Sequence, residues 1–167
     1  MIHGLWFCKR VKNAIITIIS SDQTAFIMLE PFIEPNDTDI AKYISEFEQT
    51  RRQLDAQLLQ QMMTRVSGKP AVMWGDQVIG FGQFTCVHKT GRQWDWPVIS
   101  FLLEPGRISL YVMSGLDNYE RQLKQLGKHK VASNCIHIFK LTEIDMTVLE
   151  KLMTQIYADM QAKYDCQ

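Results

Sequence analysis

The chain has 167 residues, 46% hydrophobic and 22% charged, which are ordinary globular values and exclude disordered, collagen-like and coiled-coil chains. Eighteen Lys and Arg balance eighteen Asp and Glu, so the basic footprint of a general nucleic-acid binder is missing. The cysteines Cys8, Cys86, Cys135 and Cys166 form no CxxC pair, which argues against a disulfide framework and for reduced thiols in a cytoplasmic protein.

Lys9, Arg10 and Lys12 precede a short apolar run over residues 14–19. That run is far below the ~20 residues that span a bilayer, and no A-x-A-like cleavage site follows it, so no membrane association is expected. Two readings stay open for it. It is a strand of β-branched residues, or it belongs to an extension over residues 1–35 outside the fold, with Met28 as the natural start. The domain proper then covers 36–162, and 163–167 is a tail.

Pro31 and Pro35 punctuate a polar connector. Ile40, Tyr43, Ile44 and Phe47 recur at helical spacing, with Asn36 or Asp37 as the cap. Thr50-Arg51-Arg52-Gln53 reads as a capping box opening a second helix, with the stripe Leu54, Leu58, Leu59, Met62, Met63 and Val66. Gly68 and Pro70 end it. Residues 78–88 read as a strand whose interior Gly80 and Gly82 call for a bulge or a close neighbour. Residues 89–92 read as a turn, 98–103 as a strand, and Glu104-Pro105-Gly106-Arg107 as a type II turn leading into a returning strand over 108–113. A short helix opens at Asp117 and closes at Gly127. A strand over 135–141 follows, then a last helix capped by Asp145 with the stripe Leu149, Leu152, Met153, Ile156 and Met160. This order predicts a single α+β domain: two layers, with a short, mainly antiparallel sheet packed against N- and C-terminal helices.

Several segments together resemble the YdhG-like family, a bacterial domain of unknown function. They are Met73-Trp74-Gly75, Ile79-Gly80-Phe81-Gly82, Trp96-Pro97, Leu110-Tyr111-Val112, Leu126-Gly127-Lys128-His129-Lys130, and Cys135-Ile136-His137-Ile138-Phe139-Lys140-Leu141 followed by Ile144-Asp145. The resemblance spans residues 37–160 and implies a small two-layer α+β fold. One branch of the family is described as a frataxin-like intracellular iron chaperone, so iron enters as a cofactor by resemblance alone. Leu102-Leu103-Glu104-Pro105 stands where that branch carries a Ser-Pro-Arg-Lys-like stretch. Ala132-Ser133-Asn134 stands where Gly-Lys residues follow the basic triplet. Both departures remove positive charge from any anion site the family shares.

Lys128, His129 and Lys130 offer point charges and a donor for a phosphate or carboxylate. The bland reading is a solvated loop after a helix C-terminus. Trp74, Gly75, Gly80, Gly82, Trp96 and Tyr111 outline an aromatic hollow for a small molecule; ordinary core packing is the competing account. Cys86 with His88, and Cys135 with His137, alternate along two strands, and would form a tetrahedral site if those strands were neighbours. Glu46, Glu48, Glu143, Asp145, Glu150 and Asp159 form no dense ridge for iron. Catalytic motifs are absent: there is no nucleophile elbow, Walker loop or His-Glu-x-x-His, and Ser109, Ser114 and Ser133 show no base partner in sequence. The leading expectation is a small-molecule or anion binding module. An iron-binding chaperone comes second and an enzyme of unrecognised class third. Homodimerisation through the first strand-like segment or the aromatic edge stays open.

Overall fold

Among the described residues seven strands form one sheet, and every pairing is antiparallel. The computed structural model describes residues 33–87, 93–132 and 134–167. The apolar run 14–19, Cys8, His88 and the turn 89–92 lie outside them. The strands are β1 (Pro35–Asn36), β2 (Ala71–Trp74), β3 (Val78–Val87), β4 (Gln93–Glu104), β5 (Arg107–Val112), β6 (His129–Ala132) and β7 (Cys135–Ile138). Their spatial order is β1-β2-β3-β4-β5-β7-β6. The helices are α1 (Ile40–Ser45), α2 (Thr50–Ser67), α3 (Glu120–Gln125) and α4 (Met146–Lys163), with 3-10 turns at Asp117–Tyr119 and Leu141–Glu143.

The α+β class stands, but the sheet is larger than expected. β1, β2 and β6 are two to four residues long, too short for a period-of-two pattern to show. The C-terminal residues are no loose tail. Gln83 and Gln167 exchange two backbone hydrogen bonds, of 3.0 and 2.7 Å, and the rings of Phe84 and Tyr164 lie 4.9 Å apart.

Register sorts the side chains, because directly opposed residues share a face. Met73, Ile79, Phe101, Leu110 and Ile136 form one row across five strands, and all are fully buried in the main core. Leu59, Met62 and Met63 of α2 and Leu149, Leu152, Met153, Ile156 and Met160 of α4 complete that core. The opposite face carries two further rows. One is Trp74, Val78, Leu102, Ser109, His137 and Lys130; the other is Val72, Gly80, Ser100, Tyr111, Cys135 and Ala132. No described helix contributes to its small apolar cluster of Leu102, Tyr111 and Cys135.

Local chemistry departs from expectation at four places. Asp39, not Asn36 or Asp37, caps α1, accepting from the amides of Ala41 and Lys42 at 2.9 and 3.1 Å. The capping box does not form. Gln49 is the N-cap residue of α2, without a side-chain bond. Gln53 instead donates to the carbonyls of Ser45 and Phe47 at 3.1 and 2.7 Å, tying α2 to α1. The buried stripe of α2 is rotated: Leu54 and Leu58 are 55% and 52% exposed, whereas Arg52 and Asp55 are buried. Gly106 is not among the positive-φ glycines, so the Pro105-Gly106 turn lacks type II geometry. By contrast Gly68 ends α2 at φ 65°, and Asp145 caps α4 through the amides of Thr147 and Val148, as the sequence implies.

Candidate functional site

The hairpin β4–β5 places Glu104 opposite Arg107, and Ser109 follows two residues later on the same face. Arg107 grips the Glu104 carboxylate with two hydrogen bonds, Nε to Oε2 at 2.6 Å and Nη2 to Oε1 at 3.0 Å. Ser109 Oγ donates to the same Oε2 at 2.6 Å. β7 lies alongside and sets His137 directly opposite Ser109, with Nδ1 2.8 Å from Oγ.

The proton count along this chain is determined. Partial burial pushes the Glu104 carboxyl up, but the hydrogen bonds from Arg107 and Ser109 and the guanidinium charge outweigh it, so it titrates below its ordinary 4.5. An ionised carboxylate only accepts, so the single Ser109 hydroxyl proton points to Glu104. Oγ must then accept from His137, which places the imidazole proton on Nδ1. Burial, reinforced by the Arg107 charge, also holds His137 below its ordinary 6.5, against a smaller opposing pull from Glu104. The ring is therefore neutral at pH 7, and its Nε2 is a lone-pair acceptor with no hydrogen bond to a described residue. Such a nitrogen can receive a ligand N–H or O–H, act as a base or bind a metal. Lys130 stands opposite His137 on β6, with its ammonium 5.6 Å from the Phe139 ring centroid.

The residues expected to enclose one hollow are spread over three places. Trp74, Gly75, Gly80 and Trp96 gather near β1. A Cβ on Gly80 would lie 2.5 Å from Pro97 Cβ and 2.6 Å from the Trp74 indole, so the ring packs directly against the glycine backbone. Trp96 lines an open cleft of about 620 Å³ with Glu34, Pro35, Thr85, Trp94 and Asp95. Its charged rim is acidic, not basic. Gly82, at φ 64°, faces Tyr157 of α4 and lies with the main core. Tyr111, beside Cys135, shares the face and the row of Gly80 but lies two strands away from it.

The basic triplet is split as well. Lys128 pairs with Glu143 at 3.5 Å. His129 shares a row with Ile138, Ile108 and Leu103 on the helix side. Lys130 lies five strands from Trp74 in its row, roughly 24 Å at ~4.8 Å per strand. Antiparallel alternation forces this separation, because Lys130 and its neighbour His129 must point to opposite faces.

The four-ligand Cys/His site fails for the same kind of reason. β4 and β5 stand between β3 and β7. Cys86 packs against the main core, whereas Cys135 and His137 lie on the opposite face. Among the described residues no group of three or more His, Cys, Asp or Glu converges as a metal site. Three of the six carboxylates considered for iron bond to other side chains, and a fourth, Asp145, caps α4. Glu143 pairs with Lys128 and Lys140, Glu150 pairs with Arg65, and Asp159 accepts from Tyr119 and Gln155.

The sequence marks Glu104 and Arg107 only as turn ends and Ser109 only as a serine without a base partner, whereas the fold sets His137 beside it. The Glu104/Arg107 pair is legible as the end of a hairpin. The partnership of Ser109 with His137 is not, because it depends on which strand lies beside β5. No family model, curated protein or solved structure matches this chain. No helix among the described residues is long and apolar enough to cross a membrane.

Proposed function

We propose that this protein is a binding module for a small polar molecule, held on the sheet face opposite the long helices and read by His137. The observation that carries the reading is the Arg107–Glu104–Ser109–His137 chain, which commits the imidazole to one tautomer and leaves Nε2 as an acceptor in a side chain that is only 5% exposed. A fixed, neutral acceptor selects a ligand with an N–H or O–H donor, such as an amide or alcohol, over a bare anion. Lys130 supplies a neighbouring cation for a ligand that also carries an acceptor. The ordered motif set supports kinship with the two-layer YdhG-like domains. Iron handling has no comparable support among the described residues.

The reading is tested with a set of small amides and alcohols screened by protein-observed NMR. Hits are expected to shift the amides of Ser109, Cys135 and His137 together, and to vanish in His137→Phe. Hits that cluster at the Trp96 cleft and survive His137→Phe would refute it.

A further inference from the structure

Arg52 presents a different anomaly, remote in sequence from the His137 face. It is the third residue of α2, lies on the buried side of that helix and is only 6% exposed. Its Nε and Nη1 are buried and have no hydrogen-bond partner. A guanidinium taken out of water without a partner is strongly unfavourable, and native proteins relieve that cost with an acceptor. Asp55, one turn later and equally buried, is the obvious relief at i,i+3, but the two side chains form no ion pair.

The surroundings favour an external anion. The N-cap residue Gln49 makes no side-chain cap, so the positive end of an 18-residue helix is left without one. Arg52 itself belongs to that first turn, as the third residue of the helix. The turn is held rigidly from two sides. Gln53 is bonded to the end of α1, and Arg51 Nη2 donates to Thr142 Oγ1 at 2.6 Å.

We infer that the buried Arg52 guanidinium, with the uncapped first turn of α2, is a binding site for a small oxyanion, a carboxylate or a phosphate. Asp55 opposes the anion by like charge and so limits its affinity.

The test is thermal unfolding of the full chain at low ionic strength, with inorganic phosphate, acetate and an ionic-strength-matched chloride control. Wild type should gain a saturable increase in Tm with phosphate or acetate and little with chloride; the larger of the two responses identifies the class. Arg52→Met should abolish the response while remaining at least as stable as wild type without the anion, since it removes a buried unpaired charge. Arg52→Lys, a milder change should the methionine variant fail to fold, should weaken binding at least about tenfold. Asp55→Asn should bind the anion more tightly. Two results would overturn the inference. One is a wild type indifferent to both anions. The other is a pair of variants, Arg52→Met and Asp55→Asn, that each destabilise and whose effects are strongly non-additive, which would show that Arg52 and Asp55 are an ion pair in solution.

Discussion

Tyr157 and Gly82 show how much one atom decides. The Tyr157 hydroxyl is buried without a hydrogen-bond partner, and burial pushes its pKa up, with a further push from Cys166. A buried polar group left unpaired is a liability, so Tyr157→Phe should be neutral or stabilising by up to about 1 kcal/mol in urea unfolding. Gly82 sits at φ 64°, and a Cβ there would lie 2.6 Å from that same hydroxyl oxygen. Gly82→Ala should therefore cost more than about 1 kcal/mol, and part of the cost should disappear in the Tyr157→Phe background. Ser109 is the other pivotal residue, since its hydroxyl bridges Glu104 and His137. Ser109→Ala should release the His137 tautomer, seen as loss of the single Nδ1–H state in nitrogen-edited NMR, and cost about 1–3 kcal/mol.

Among the elements, α2 separates local pattern from tertiary fact. Its leucines suggest a stripe through Leu54 and Leu58, yet both are more than half exposed, whereas Leu59 is fully buried. The direction a helix faces is set by what packs on it, and here the line Ala56, Leu59 and Met63 meets the sheet. Leu54→Gln and Leu58→Gln should each shift stability by no more than about 0.5 kcal/mol, whereas Leu59→Ala should cost about 2–5 kcal/mol. Chemical denaturation of the three variants checks this directly. The end of β3 is a second case. With β2 ending opposite Phe81, the C-terminal residues take over as the neighbour of Gln83 and Phe84. Tyr164→Ala should cost about 1–2 kcal/mol through lost ring contact and burial. Hydrogen exchange at Gln83 should speed up with it.

For the molecule as a whole, the sheet face behind the helices makes stability depend on pH. His137 is held below 6.5 in the folded state, so between that depressed value and 6.5 the unfolded chain binds more protons than the folded one. Stability should therefore rise with pH through this window and fall on acidification below about 6.5. Urea midpoints from pH 5 to 7.5 should show the slope, and His137→Asn should flatten it. Glu104 acts lower down. Its depressed pKa contributes stability that is present above 4.5 and lost as pH falls through the folded value. Helix ends such as Asp145 and Gly68, the α4 stripe, the β4–β5 hairpin and the α+β class are all legible in the chain itself, because caps, turns and periodicity are decided within a few residues. The β5–β7 adjacency that joins Ser109 to His137, the separation of Trp74 from Lys130 and the burial of Arg52 were decided only by tertiary structure. Strand order and register select partners far apart in sequence, and a one-residue change in register would send each of these side chains to the other face.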